Sequence, residues 1–230
     1  MKVLVAAGLD PSGGAGLLAD AAALAAVGAE AYGVATALTA QGARGAVSME
    51  PVPPALLEAQ LQALLAGGGE RPRALKTGML GSAGNAALLA DRFARPPLGR
   101  LPLVVDPVLA ATSGLPLLDT RGRPPLEVLA PLLERAALAT PNWPELEALA
   151  GGPLRGEEEA VAAARALPAR AVLVKGGHRE GPPVDLLVRG RRVVRLPGRR
   201  RPGTARGTGC RLASATAGLL ARGLPLEEAV

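Results

Sequence analysis

Short β-like apolar runs alternate with longer alanine- and leucine-rich stretches along the whole chain, and that alternation restricts the fold more than any single motif. "VLVAAG" (3–8) reads as a buried strand, followed by a glycine loop and an Ala-rich helix from about Ala15 to Val27. "AYGVATAL" (31–38) reads as a second strand, and Leu56 to Leu65 has helical spacing after "PVPP". "RALKTGML" (73–80) is a strand running into a loop, Ala83 to Ala94 is a helix, and "LPLVVDPVL" (101–109) is a strand ending in a loop. A Leu-rich helix near 125–135, the strand "AALATPN" (136–142) and helices over 144–150 and 157–166 come next. "AVLVKGG" (171–177) is another strand, "VDLLVRGRRVVRL" (184–196) a hairpin turning at Arg189–Gly190, and Thr208 to Ala221 a helix. The expectation is an α/β fold in a single domain over 1–230, with a mostly parallel sheet covered by helices on both faces. In such sheets ligands bind beyond the carboxyl ends of the strands.

Composition narrows the function classes. Apolar residues make up 49% of the 230 and aromatic residues 1%, so the core rests on Leu, Val and Ala. One cysteine, Cys210, excludes a disulfide within the chain and suits a reducing cytoplasm. "MKVLVAAGLD" has too short an apolar stretch for a signal peptide, and Asp20 and Glu30 interrupt the Ala-rich stretch before it reaches membrane-spanning length. A net charge of +6 raises the question of nucleic acid. Nine arginines fall between Arg189 and Arg211, but no aromatic residue is interleaved for base stacking. Solvated strands and loops account for them, and neither a nucleic-acid nor a membrane partner is expected.

Residues capable of chemistry gather at the strand ends: Gly8 and Asp10, Lys76 to Met79, Asp106, Asn142, and Lys175 to His178. "DPSGGAG" (10–16) is neither a Walker loop, since no lysine follows, nor a dinucleotide fingerprint, since its glycine spacing is wrong. It is either a tight strand-to-helix turn or a backbone loop facing a substrate. "RGTGCR" carries more. A glycine-rich turn entering a helix offers free N–H groups and the positive end of the helix dipole, which hold an anion or the charge on a transferring phosphoryl group. An exposed Cys210 there is expected to have a lowered pKa and to accept the proton of an attacking hydroxyl. The plain alternative is a small buried cysteine at a helix start. Only Lys2, Lys76 and Lys175 are lysines in an arginine-rich chain, and a compact ammonium suits a single phosphate oxygen. Lys175 in "LVKGGH" is the better nucleotide-phosphate candidate, and His178 reads as a loop residue. One His and one Cys cannot build a zinc site. Asp106 and Glu145 are the pair that can share a hydrated Mg²⁺, or else serve as a turn residue and a helix-start charge.

In order, "AGLDPSGGAGLLAD", "TALTAQ", "KTGMLG", "VVDPVLAATSG", "TPNWPE", "VLVKGGH" and "GTGC" resemble the hydroxymethylpyrimidine/phosphomethylpyrimidine kinases of thiamine synthesis, over nearly the whole chain. The resemblance implies a three-layer α/β/α fold of the ribokinase-like superfamily. It also implies ATP- and Mg²⁺-dependent phosphorylation of 4-amino-5-hydroxymethyl-2-methylpyrimidine and then of its monophosphate, by a homodimer. By position, Gly8, Asp20 and Gln41 would hydrogen-bond the pyrimidine while Met79 and Val108 pack on its faces. Cys210 would be the base, with Gly207, Thr208 and Gly209 forming the anion hole. Lys175 and Asn142 would lie at the ATP, and Asp106 and Glu145 at the metal. The chain departs from the family pattern at Ala22, Gly42, Ala43 and Thr112, around the phosphate end of the substrate. A single-step enzyme and a pyridoxal-type vitamin kinase are therefore the alternatives.

Overall fold

The structure is a computed structural model describing residues 1–42, 45–178, 183–199 and 207–230. It begins with β1 (Lys2–Leu9), α1 (Gly16–Ala26), β2 (Glu30–Gly42), β3 (Gly45–Pro51), α2 (Pro54–Ala66) and β4 (Pro72–Thr77). Then follow β5 (Gly81–Ser82), α3 (Ala83–Ala94), β6 (Leu103–Val105), β7 (Leu118–Asp119), α4 (Pro125–Leu133) and β8 (Leu138–Ala139). The chain continues through α5 (Trp143–Ala150), α6 (Glu157–Ala166), β9 (Val172–Val174), β10 (Val184–Arg189), β11 (Arg192–Pro197), α7 (Thr208–Ala221) and α8 (Leu226–Ala229).

Nine strands form one sheet in the order β11-β10-β9-β8-β6-β4-β1-β2-β3. The six strands from β9 to β2 run parallel, so their carboxyl ends share one edge. β3 on one side and β10–β11 on the other are antiparallel. The inner parallel strands are largely apolar because both faces are covered. Along β1, Leu4 and Ala6 enter the core beneath α2 to α6, while Val3, Val5 and Ala7 enter the core beneath α1 and α7. Leu103 and Val105 against Val104, and Val172 and Val174 against Leu173, repeat the two-residue period. The three layers expected from the alternation are present.

Small residues set how closely the layers approach. A Cβ on Gly218 of α7 would come within 2.6 Å of Val27 Cγ2, at the end of α1. The alanines Ala213, Ala217 and Ala221 line the same side of α7. α1 and α7 can thus lie tightly side by side, which matters because both carry site residues.

Several boundaries differ from the sequence expectation. The second strand extends four residues beyond Leu38, to Gly42, where β3 pairs with it. β3 itself was not foreseen: "GAVSMEP" lies at the sheet edge with no residue fully buried, and lacks the buried run that marks a strand. "LPLVVDPVL" shortens to Leu103–Val105, because Val108 N–H bonds back to the Asp106 carbonyl and turns the chain off the sheet. The hairpin and the helix over Thr208–Ala221 lie where the pattern put them.

Candidate active site

Two glycine-rich turns meet at the carboxyl edge. After β1, Asp10 shapes its loop: Oδ1 accepts from Ser12 N–H at 2.9 Å and Ser12 Oγ at 2.7 Å, and Oδ2 from Ala15 N–H at 3.0 Å. Gly207, the residue that starts α7, has φ +69°, and a Cβ on it would lie 2.2 Å from the Gly14 carbonyl oxygen. The "GGAG" and "GTG" segments therefore touch backbone to backbone, which only glycine permits at this position. Among the described residues no side chain caps α7, whose first N–H groups have no intrahelical partner and lie beside Thr208, which is exposed. Ala43 and residues 200–206 lie outside the described residues, as does the side chain of His178.

Lys175 stands over that helix start. A Cβ on Gly209 would come within 2.8 Å of Lys175 Nζ. The ammonium donates to Asp106 Oδ1 at 2.8 Å and lies 3.8 Å from Glu145 Oε2. Asp106 also accepts from Thr140 Oγ1 at 3.2 Å. Glu145 is held by a reciprocal cap on α5, with Glu145 N–H donating to Asn142 Oδ1 at 2.9 Å and Asn142 N–H donating to Glu145 Oε2 at 2.7 Å. Burial opposes charge on Asp106, but the ammoniums of Lys175 and Lys76 outweigh it and hold the carboxyl below its ordinary range. Burial likewise opposes the charge on Lys175, and Asp106 and Glu145 restore it and carry its pKa above the usual value.

Glu145 goes the other way. Burial pushes it up to about 7, assisted by Asp106 and opposed by Lys175. Its folded value exceeds the unfolded one, so the ionised form costs stability that appears as pH rises from about 4.5 to about 7. Glu145→Gln keeps the carbonyl acceptor of the cap and removes that cost. Thermal unfolding is expected to show the two proteins alike at pH 5 and the variant more stable at pH 8, by on the order of 2–3 kcal/mol. A difference that does not change with pH refutes this assignment.

Cys210 sits in the first turn of α7, partly buried. Its thiol is pushed up to about 11: burial is the main cause, Asp106 and Asp20 add to it, and Lys76 and a hydrogen bond from Gly16 N–H oppose it. This corrects the expectation of a lowered pKa. The helix start and a lysine are both present, but two carboxylates and the loss of water outweigh them.

Lys76 and Asp20 lie together in the interior. Lys76 is wholly buried and donates to Asp20 Oδ2 at 2.8 Å, while Ser214 Oγ on α7 donates to Asp20 Oδ1 at 2.9 Å. Neither residue has open surface. Asp20, which the resemblance places at the pyrimidine, is thus paired with Lys76 in the interior.

The remaining candidates line the neighbouring β1–β2–β4 end. A Cβ on Gly8 would lie 2.1 Å from Met79 Cε, so the glycine makes room for Met79. Met79 packs with Ala37 and Leu117 in a small apolar cluster that Val108 joins. Gln41 sits at the end of β2, opposite Ala46, with part of its surface open. Sequence reading missed the residues that fix this wall. Thr36 Oγ1 donates to the Met79 carbonyl at 2.5 Å, and Asn85 Nδ2 donates to the carbonyls of Thr36, Val52 and Leu80. The one available signal was an asparagine on the apolar face of a helix. Gly42, at the end of β2, pairs with Gly45, and Ser113, next to Thr112, donates its Oγ to the Ala46 carbonyl at 3.2 Å.

A family model described as phosphomethylpyrimidine kinase matches residues 10–230. The chain is 42% identical over its full length to a thiamine biosynthesis bifunctional protein of Geobacter sulfurreducens, of which it spans 46%. It is 40% identical to a hydroxymethylpyrimidine/phosphomethylpyrimidine kinase of Rhizobium meliloti, covering 97% of this chain and 84% of that protein. Among solved structures, the pyridoxal kinase of Staphylococcus aureus in complex with AMP-PCP and pyridoxal superposes with a TM-score of 0.84 at 30% identity, over 100% of this chain and 83% of that one. The fold is thus the ribokinase-like one. With a family match over residues 10–230 joined to two relatives at 40% identity or more over at least 97% of this chain, the chain belongs to the phosphomethylpyrimidine kinase family.

Proposed function

We propose that this chain transfers the γ-phosphoryl group of ATP to the hydroxymethyl oxygen of 4-amino-5-hydroxymethyl-2-methylpyrimidine, and then a second phosphoryl group to the resulting monophosphate, in thiamine biosynthesis. The observation that carries this reading is the glycine-led start of α7, which brings Cys210 and Lys175 together beside the Met79–Val108 wall. Phosphoryl transfer asks a protein mainly to position reactants and stabilise charge, and this edge has groups for both. The N–H groups of Gly207 to Gly209 face the transferring phosphoryl oxygens. Lys175 releases its hold on Asp106 to take a nucleotide phosphate, with Asn142 beside it. Gly8 and Gln41 meet the polar edge of the ring, Met79 and Val108 its faces, and Cys210 takes the proton of the attacking hydroxyl.

Asp106 and Glu145 fit a hydrated magnesium ion. Both are buried carboxylates that face the Lys175 ammonium, so a positive charge already stands between them. Mg²⁺ keeps several waters and needs only one or two carboxylates plus phosphate oxygens. Among the described residues no cluster of three or more His, Cys, Asp or Glu offers a fuller cage. Bound there with the nucleotide, the ion would neutralise charge on the phosphates.

ADP release with Mg-ATP, offering hydroxymethylpyrimidine, its monophosphate and pyridoxal separately, tests the reading. Turnover of both pyrimidines is expected. Turnover of one pyrimidine alone would assign the Gly42–Thr112 rim a one-step substrate. The likeness to a pyridoxal kinase keeps pyridoxal as the second reading, and turnover of pyridoxal alone would replace the first. Light scattering on the same sample checks the homodimer.

A further inference from the structure

The Lys76–Asp20 pair has no part in the chemistry described so far, yet it is the most thoroughly buried ion pair among the described residues, with both side chains at 0% exposure. Burying two charges is costly and seldom stabilises a fold better than apolar residues of the same size, so a pair of this kind calls for a reason. Its placement supplies one. Asp20 lies on α1, and its second oxygen is bound by Ser214 on α7. Ser214 is four residues after Cys210, on the same side of the helix and one turn further in. At the other end, Lys76 Nζ lies against the glycine after Thr77: a Cβ on Gly78 would come within 2.8 Å of it. The pair therefore links β4 and α1 to α7 at Ser214, one turn beyond the thiol.

We propose that Lys76 is a positioning residue for the phosphoryl transfer: its ammonium, fixed by Asp20 against α7 one turn from Cys210, supplies the positive potential under which the Cys210 sulfur can carry negative charge. This rests on reading Cys210 as the proton acceptor. Four charged groups bear on the sulfur from the elements around it: Lys76 from β4, Asp20 from α1, Asp106 after β6 and Lys175 after β9. Lys76 favours the thiolate, and Asp20 and Asp106 oppose it. Asp20 thus has two effects: it keeps Lys76 charged and in place, and it weakens the field that Lys76 applies. Lys76→Met and Asp20→Asn are accordingly opposite perturbations of one potential.

The test reads the thiol without reading turnover. Cys210 is the only cysteine, so iodoacetamide alkylation between pH 7 and 10 follows this one thiol, and the pH dependence of its rate follows its thiolate. Lys76→Met is expected to slow alkylation about tenfold at each pH, the equivalent of one pKa unit. Asp20→Asn, which leaves the ammonium uncompensated, is expected to accelerate it by a similar factor. The double variant removes both charges without leaving one unpaired, and should fall between them. Changes in the same direction for both single variants, as loosened packing would produce, overturn the proposal, and so does a double variant outside the range of the single ones. Equal rates in all four proteins do the same. Loss of turnover in Cys210→Ala tests the acceptor role separately, so a failure of that reading is told apart from a failure of this one.

Discussion

Cys210→Ala is expected to lower kcat by about 10²–10⁴-fold with little change in the KM for ATP, since a positioned proton acceptor contributes on that scale. The pH dependence makes the role specific. With the thiol pushed up to about 11, only a small fraction is thiolate near neutrality. The wild-type log kcat/KM should therefore climb by about one unit for each pH unit from 7 to 9.5, because this parameter reports the groups of the enzyme before substrate is committed. The sign follows from the direction of the shift: the active form is the deprotonated one, and a raised pKa moves its appearance to higher pH. The alanine variant should lose that slope along with the rate. A flat wild-type profile over the range would remove the proton-acceptor role from Cys210 and leave the thiol as packing at the start of α7.

The second large effect is expected at Lys175. Lys175→Met should lower kcat/KM for ATP by about 10²–10³-fold, the loss seen when a charge-stabilising donor is removed from a transfer site. It should also destabilise the unliganded protein. Asp106 is 1% exposed and would be left opposite Glu145 without the ammonium 2.8 Å away. Breaking a buried pair on one side costs about 3–5 kcal/mol, and here the low surface exposure of Lys175 puts the case near that range. Pairing the substitution with Asp106→Asn separates the two effects. The double variant should recover most of the thermal stability and none of the ATP affinity. Recovery of both would reduce Lys175 to a structural counter-ion of Asp106.

The strand-end residues were legible because the parallel sheet converts a sequence pattern into a place. Each apolar run with helix-forming sequence after it must deliver its last residues to the same edge. Gly8, Met79, Asp106, Asn142 and Lys175 were named from that rule, and the structure brings them to one edge. The same reasoning did not foresee β3, whose exposed edge position leaves no buried pattern. It also missed Thr36 and Asn85, because a side chain that binds the carbonyls of three segments does so only after those segments have met.

The sequence by itself determined the layer architecture and the gathering of strand-end residues at one edge, since periodicity acts locally and survives any detail of packing. The protonation states were decided only in the tertiary structure. Lys76 and Lys175 have similar glycine-rich contexts, yet one is sealed against Asp20 and the other stands at the mouth of the site. Cys210 occupies the helix start expected to lower its pKa, and it is raised instead. A charge responds to every carboxylate, ammonium and missing water within a few ångströms, and those neighbours come from α1, β4, β6 and β9, far apart along the chain.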